Sequence, residues 1–347
     1  MKSIVIHAAG DLRIEDRPEQ RLDPGQVRIA IAVGGICGSD LHYFNHGGFG
    51  AVRLREPMIL GHEVAGHVTE LGEGVSNLSV GQLVAVSPSR PCGACRFCAA
   101  AEFNHCLEMR FYGSAMPFPH VQGAFRQELV AEAAQCAPAD GLSPGVAAMA
   151  EPLAVALHAA GQAGPLLGRS VLVTGCGPIG VLCIMAARRA GADLIVATDL
   201  SDFTLMMARK AGADETLNMA ATDGALDSHS IEKGRFDVLF ECSGAARALA
   251  GAVPAMRPAG TIVQLGLGGD VTLPLQAMTA KELSLKGSFR FHAEFFTGVS
   301  LMQKGLIDPA PLITQAFPVS AAREAFEMAG DRSRAMKAQI VFARETV

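Results

Sequence analysis

The pattern of apolar and polar positions changes character near the middle of the chain, and the change divides it. Up to about residue 150 the apolar positions fall in short β-like runs, such as Gln26-Val27-Arg28-Ile29-Ala30-Ile31-Ala32-Val33. Turn-forming groups punctuate them: Asp23-Pro24-Gly25, Gly72-Glu73-Gly74 and Val80-Gly81-Gln82. Short runs bounded by Gly and Pro predict strands joined by loops. From about 153 the texture becomes Ala-rich helix alternating with short apolar runs. These runs are Val171-Leu172-Val173, Leu194-Ile195-Val196-Ala197, Val238-Leu239-Phe240 and Thr261-Ile262-Val263-Gln264-Leu265. Strands apolar on both faces and separated by helices predict a parallel, doubly wound sheet. After about 290, a helix over 295–304 and the Pro-rich Ile307-Asp308-Pro309-Ala310-Pro311 precede a final helix and the strand-like Ala338-Gln339-Ile340-Val341-Phe342. The expected organisation is α/β: a β-rich domain over 1–152, to which 290–347 returns, and a doubly wound domain over 153–289.

Length and composition agree with that division. A chain of 347 residues exceeds one ordinary core, and with half its residues hydrophobic and 18% charged it can fill two. No apolar run approaches the roughly 18 residues of a membrane helix, and the first twenty residues lack a secretory pattern. A soluble, cytoplasmic protein with no membrane partner is expected. The formal charge of −5, from 29 basic and 34 acidic side chains without a Lys/Arg block, excludes nucleic acid as an expected partner.

Two motifs carry chemistry by spacing. In Val171-Leu172-Val173-Thr174-Gly175-Cys176-Gly177-Pro178-Ile179-Gly180, a strand runs into G-x-G-x-x-G and an apolar helix. Gly175 suits a tight turn, Gly177 a close approach of backbone to pyrophosphate, and Gly180 close helix–strand packing. The helix N-terminus, opening at Pro178, offers free N–H groups from Ile179 onward to phosphate. A second strand ends in Asp199, placed to accept the ribose hydroxyls of NAD. Leu265 and Arg290, at the ends of later strand-like segments, are further cofactor candidates. The other motif is Cys92-x2-Cys95-x2-Cys98-x7-Cys106, four of nine cysteines within 15 positions. In a reducing compartment such crowding points to metal rather than disulfides. Four thiolates around Zn²⁺ form a closed, structural site. An iron–sulfur cluster is the rival, weakened by the seven-residue gap and the missing proline. Cys136, Cys176, Cys183 and Cys242 are expected to be ordinary buried cysteines.

A third set is scattered: Cys37-Gly38-Ser39-Asp40-Leu41-His42, Gly61-His62-Glu63-Val64-Ala65-Gly66 and Glu151-Pro152-Leu153. Taken with the four-cysteine lobe and the glycine motif in this order, the chain resembles the zinc-containing medium-chain dehydrogenase/reductase family over essentially its whole length. The resemblance implies a GroES-like, β-rich catalytic domain and a Rossmann domain. It implies two zinc ions per chain and NAD as cofactors, with a homodimer or homotetramer as the assembly. Cys37 and His62 would hold the catalytic zinc. Glu151 would be a third ligand or hold the water at the open position. Glu63 would be an alternate ligand or an acid that orients the site. In alcohol dehydrogenases, the handiest reference for a Cys₂His catalytic zinc, a cysteine stands where this chain has Glu151. Glutamate there looks like the polyol dehydrogenase branch, which includes sorbitol and threonine dehydrogenases. The segments at 109–116, 118–121 and 281–291 look more specifically like a sugar-acid dehydrogenase of that branch.

The reaction implied is oxidation of a secondary alcohol of a sugar acid or polyol by NAD. Hydride leaves carbon easily once the hydroxyl has lost its proton, which an open zinc site promotes. Ser39 and His42 would relay that proton, and histidine suits the task by its near-neutral titration. Tyr43, Arg110, Phe111 and Arg290 are the expected substrate residues, the arginines because a guanidinium captures a carboxylate in two-pronged fashion. Two other readings stay open: a dehydrogenase of neutral substrates such as sorbitol or a butanediol, and a non-catalytic zinc protein on the same scaffold.

Overall fold

The structure, a computed structural model, describes residues 1–342, which form two compact units. One contains Met1–Glu151, Phe295–Asp331 and the chain from Lys337; the other contains Pro152–Glu294 and Arg332–Met336.

The first unit is organised around a seven-stranded sheet. Its central strand, Gln26–Gly35, buries Val27, Ile29 and Ile31 at every second position, as a strand with one face on a core should. It pairs antiparallel with Glu63–Leu71, Glu128–Glu132 and Lys337–Val341. Ile313–Pro318 lies parallel to Lys337–Val341, so the tail supplies two strands to this sheet. Phe125, Phe326 and Phe342 meet in the core at ring separations of 6.1 and 6.4 Å. Each fully buried side chain of this kind contributes about 1.5–3 kcal/mol. Where the central strand ends, a Cβ on Gly35 would collide with the Glu63 carboxylate, so glycine there makes room for a functional side chain.

The second unit is built on a six-stranded parallel sheet. In space the strands run Glu215–Asn218, Leu194–Asp199, Ser170–Thr174, Phe236–Glu241, Met256–Gln264 and Ser284–Gly287. Numbered along the chain this is the order 3-2-1-4-5-6, with the reversal beside Ser170–Thr174, where doubly wound sheets bind ligands at the strands' carboxyl ends. Leu172, Val196, Leu239 and Ile262 fill the sheet's core, completely buried.

All four apolar runs form strands. The two outer strands escape the pattern because they are outer strands. Ser284–Gly287 is exposed at every position and Glu215–Asn218 is fully buried at none. The expected strand at 261–265 in fact starts at Met256 and ends at Gln264, passing Pro258 and Gly260 through a register shift. Proline at such an irregularity costs no ladder hydrogen bond.

Candidate active site

Four short segments of the first unit meet at one buried cluster. Cys37 stands immediately before the Gly38–His46 helix. The Asp40 carboxylate, fully buried, accepts the Cys37 N–H at 3.0 Å and the Gly61 N–H at 3.1 Å. One side chain thus caps the helix and ties its start to the turn before His62. Cys37, His62 and Glu63 bring their donor atoms within 4.8 Å of one another. Lys337 enters from the tail, 3% exposed, and its Nζ donates to both Glu63 oxygens at 2.8 Å and to the Ile36 carbonyl at 3.2 Å. Glu151, in the first turn of the Ala150–Ala163 helix, is 5% exposed.

The electrostatics describe acids crowded around one imidazole. Burial pushes the Glu151 carboxyl up to about 7 despite the attraction of His62. Burial also raises the Asp40 carboxyl. Burial works against charging His62, yet the Asp40 carboxylate and the Cys37 sulfur hold its imidazole well above the usual range. Among the described residues, the Glu151 side chain makes no hydrogen bond, and His62 Nδ1 is buried without a hydrogen-bond partner, 3.8 Å from Asp40 Oδ1. A buried carboxyl and an orphaned imidazole nitrogen beside a thiol are costly unless a cation gathers them. A sulfur, nitrogen and oxygen donor set is what Zn²⁺ takes. The residues fit the metal.

The side chains named for proton transfer share the same helix. Ser39 and His42 are three positions apart, hence on one face, and both are half-buried. His42 lies beside Phe49 at 5.6 Å and His46 at 6.2 Å between rings. Burial, assisted by the charge of His46, lowers its basicity. The other substrate candidates part company. Tyr43 is buried, and its hydroxyl accepts the Ala115 N–H at 3.0 Å. Phe111 packs on His62, rings 5.6 Å apart. Its neighbour Arg110 pairs in register with Arg90, which itself bonds Glu132. The pleat therefore turns Arg110 away from the face that carries His62.

The four-cysteine lobe fits a closed zinc site closely. Its sulfurs lie 3.6 Å (Cys95–Cys98), 4.0 Å (Cys92–Cys98) and 4.0 Å (Cys95–Cys106) apart. A tetrahedron with Zn–S bonds of about 2.3 Å has edges of about 3.8 Å. The N–H of Cys92 points at Cys106 Sγ, 3.1 Å away. A backbone N–H bond lowers the Cys95 thiol to about 6, whereas burial and the Cys95 hydrogen bond push Cys98 up to about 12. Four sulfurs this close ionise together only around a cation. Cys136, Cys176 and Cys183 are buried, and Cys242 is half-buried and lies 4.0 Å from Cys183.

In the second unit, Ser170–Thr174 runs into the glycine turn and the Pro178–Arg189 helix, with Gly177 as its N-cap and proline in its first turn. Gly175 sits at φ +84°, and a Cβ there would come within 2.7 Å of the Ser243 nitrogen. A Cβ on Gly180 would collide with the Gly175 carbonyl, while Gly177 faces open space. Gly175 and Gly180 therefore stand where geometry requires glycine, while at Gly177 the missing side chain leaves the turn open to an approaching ligand. Asp199 ends its strand and accepts N–H groups from Cys176 (2.6 Å), Leu200 (2.7 Å) and Ser201 (3.1 Å). Leu265 bonds back to the Glu241 carbonyl at 2.8 Å. Arg290 lies three residues beyond the last strand at φ +57°, its guanidinium 4.9 Å from the Phe289 ring centre. Glu294, at the start of the next helix, pairs with His158 at 2.8 Å and accepts the His292 N–H.

Sequence reasoning missed Asp40 as the link between Cys37 and His62, and Lys337 altogether. The signal for Lys337 was a lysine opening Lys337–Val341, a strand whose other positions are apolar or amide and almost wholly buried.

Comparison with known proteins gives this geometry its context. The family model for the alcohol dehydrogenase GroES-like domain matches residues 23–141, and that for zinc-binding dehydrogenase matches residues 178–304. The chain is 44% identical to L-idonate 5-dehydrogenase (NAD(P)(+)) of Escherichia coli K12 over 90% of this chain and 91% of that one. It is 35% identical to sorbitol dehydrogenase of Gallus gallus over 94% and 92%. The crystal structure of L-idonate 5-dehydrogenase from Escherichia coli superposes with a TM-score of 0.94 at 42% identity, covering 98% of this chain and 97% of that one. The catalytic cluster, the four-cysteine lobe and the glycine turn thus belong to one design, and the chain is a member of the polyol dehydrogenase branch of the zinc-containing medium-chain dehydrogenase/reductase family.

Proposed function

We propose that this protein oxidises the C5 hydroxyl of L-idonate to the ketone, giving 5-keto-D-gluconate, with NAD⁺ taking the hydride and one proton released. The sulfur–nitrogen–oxygen cluster of Cys37, His62 and Glu63, with the buried Glu151 as a further acid, carries the dehydrogenase reading. Similarity over nine-tenths of the chain to an L-idonate 5-dehydrogenase supports the substrate. When bound, zinc supplies a Lewis acid that lowers the alcohol's pKa, and NAD supplies the hydride acceptor. Cys37, His62 and Glu151 are the ligands in this reading, because Glu151 has no other partner. Glu63 is held by Lys337 through both oxygens and serves to orient the site. Asp40 fixes the positions of Cys37 and His62.

Ser39 and His42 carry the alcohol's proton towards solvent. Neutral His42 accepts it, and burial keeps that imidazole neutral to lower pH than an ordinary one. The acid limb of kcat should therefore fall below the usual imidazole range of about 6.5. His42→Asn should lower kcat about 100-fold and remove that limb. A pH–rate profile of both proteins checks this, and an unchanged limb in the variant would assign the relay elsewhere.

A sugar acid needs a cation for its carboxylate, and Lys337 in the cluster is committed to Glu63. We assign that task to Arg290. A non-glycine residue at positive φ is strained by roughly 1–3 kcal/mol, which a functional position can justify. Tyr43, Arg110 and Phe111 remain in the proposal only in part. Phe111 shapes the wall against His62, while the Tyr43 hydroxyl takes the Ala115 N–H and Arg110 lies on the opposite side of its strand, in register with Arg90. The experiment is a panel of L-idonate, sorbitol and 2,3-butanediol with NAD⁺. L-Idonate should give the highest kcat/KM, and Arg290→Ala should cut its advantage over sorbitol roughly tenfold or more, since a charge-assisted pair contributes about 1.5–3 kcal/mol. Equal losses for both would remove Arg290 from the substrate site. Preference for sorbitol in the unaltered protein would favour the neutral-polyol reading, which the 35% identity to a sorbitol dehydrogenase supports. No turnover in the presence of bound zinc would favour the non-catalytic one.

The assembly is proposed to be a homodimer or homotetramer. The outer strand Ser284–Gly287 is exposed along its length, with Leu285 and Phe289 each 43% exposed, and an unpaired edge of this kind invites a second copy. Sedimentation of the purified protein as a monomer would overturn it. Among the described residues no helix is long and apolar enough to cross a membrane. Nine free cysteines suit the reducing cytoplasm, which is the proposed location and which cell fractionation tests.

A further inference from the structure

The dinucleotide-binding unit contains a buried acid that the chemistry above does not use. Glu241 ends the Phe236–Glu241 strand and is 0% exposed. Among the described residues, no lysine, arginine or histidine pairs with it. Its carboxylate instead receives hydrogen bonds from three neighbouring strand ends. Oε1 accepts from the Thr174 hydroxyl at 3.3 Å, the Ser243 N–H at 3.0 Å and the Ser243 hydroxyl. Oε2 accepts from the Gly244 N–H at 3.0 Å and the Gln264 amide at 2.6 Å. N–H groups address both oxygens, so each oxygen is tied to a different part of the surrounding backbone. Its own main-chain carbonyl takes the N–H groups of Leu265 and Gly266 at 2.8 and 2.9 Å.

Those partners are the turns that face the ligand end of the sheet. Thr174 leads directly into Gly175, whose missing Cβ leaves room for the Ser243 nitrogen. A Cβ on Gly266 or Gly268 would collide with the backbone of Gly244. The turns after three adjacent strands therefore stack backbone on backbone, with one carboxylate beneath them. Helix N-termini and glycine turns bind a pyrophosphate by where their N–H groups point, so small shifts of these turns cost affinity.

We infer that Glu241 is a positioning residue of the cofactor site, fixing the turns at Gly175, Ser243-Gly244 and Gln264–Gly266 in the shape that the dinucleotide meets. This rests on the NAD-binding reading of the same sheet end. Glu241 touches no reacting atom, and its contribution is to cofactor affinity. Glu241→Gln keeps the shape of the side chain but replaces one acceptor with an amino group. Turned either way, that group faces an N–H donor, so one turn must let go.

The test is direct titration of the zinc-loaded protein with NADH, followed by fluorescence, beside thermal melts and steady-state kinetics. Glu241→Gln should raise the NADH Kd at least tenfold, with KM for NAD⁺ rising in parallel. At saturating NAD⁺, kcat and the alcohol KM should stay within about twofold. Thr174→Val and Ser243→Ala each remove one hydroxyl from the same carboxylate and should each raise Kd about threefold. These two variants decide the matter if Glu241→Gln does not fold. A purely structural role would lower the melting temperature while the folded variants bind NADH as the unaltered protein does, and that result would overturn the inference. Failure of the unaltered protein to bind NADH at all would instead overturn the NAD-binding reading on which it rests.

Discussion

Cys37→Ala should reduce kcat by 10³-fold or more and leave the melting temperature within a few degrees, whereas Cys95→Ala should destabilise the protein and spare the chemistry of whatever remains folded. The contrast follows from what each sulfur is attached to. Cys37 sits at the start of a helix whose position is fixed by the Asp40 carboxylate and by a large core containing Leu41, Tyr43 and Phe44. In the proposed reading, removing its thiol takes away a zinc ligand but no structural contact of comparable weight. A Lewis acid contributes several kcal/mol to alcohol deprotonation, and each 1.36 kcal/mol is a factor of ten in rate. The four-cysteine lobe has no such support. Its helices, Arg96–Ala99 and Phe103–His105, have four and three residues, far too few to persist alone. Around them Cys92 is exposed and Cys95 half-buried. The lobe is held by its sulfurs, and in closed thiolate sites metal binding energy is folding energy. Metal analysis, kcat and thermal melts on the three proteins decide it. Two zinc ions per chain are expected in the unaltered protein and one in each variant. A single zinc in the unaltered protein, or iron with visible absorbance, would overturn the assignment.

How much of this was legible in the sequence depended on whether the physics was local. The parallel sheet was legible because strands buried on both faces must be continuously apolar, and 171–173, 194–197, 238–240 and 261–265 are. Its outer members, Glu215-Thr216-Leu217-Asn218 and Ser284-Leu285-Lys286-Gly287, read as loops because an outer strand needs no such pattern. The glycine turn and the four-cysteine lobe were legible because their partners lie within a dozen or so positions. Spacing alone then constrains geometry.

Cys37, His62 and Glu151 carry no such constraint, being separated by stretches whose path only the fold determines. They became readable through resemblance. Lys337 was not readable at all, since its partner Glu63 lies 274 positions away and a single lysine before an apolar run looks like a solvated strand end. Arg110 and Phe111 mark a different limit. Adjacent in sequence, they were grouped as one substrate loop, but neighbours in a strand face opposite ways. The structure sets Phe111 against His62 and Arg110 beside Arg90. Asp199 is intermediate: its place after the second strand was readable, its bonds to Cys176, Leu200 and Ser201 were not.

Those bonds sharpen the expectation for cofactor choice, which is that kcat/KM with NAD⁺ exceeds that with NADP⁺ roughly 30- to 900-fold, or about 2–4 kcal/mol. Both Asp199 oxygens are engaged by main-chain N–H groups at 2.6 to 3.1 Å, so the carboxylate cannot swing aside to admit a phosphate. Each oxygen keeps acceptor capacity for a ribose hydroxyl, and a 2′-phosphate would meet a fixed negative charge instead. The following residues, Leu200-Ser201-Asp202-Phe203, bring no cation to offset it. Asp202 adds a second carboxylate, held by the Asn218 amide at 2.6 Å. The nearest arginine along that helix, Arg209, is turned to the Thr216 hydroxyl at 2.6 Å. Asp199→Ser removes the fixed charge and should bring the NAD⁺/NADP⁺ ratio below about ten, mainly through a higher KM for NAD⁺. Steady-state kinetics with both cofactors on both proteins measures this. Equal kcat/KM for the two cofactors in the unaltered protein would mean that Asp199 serves the glycine turn alone and takes no part in reading the ribose.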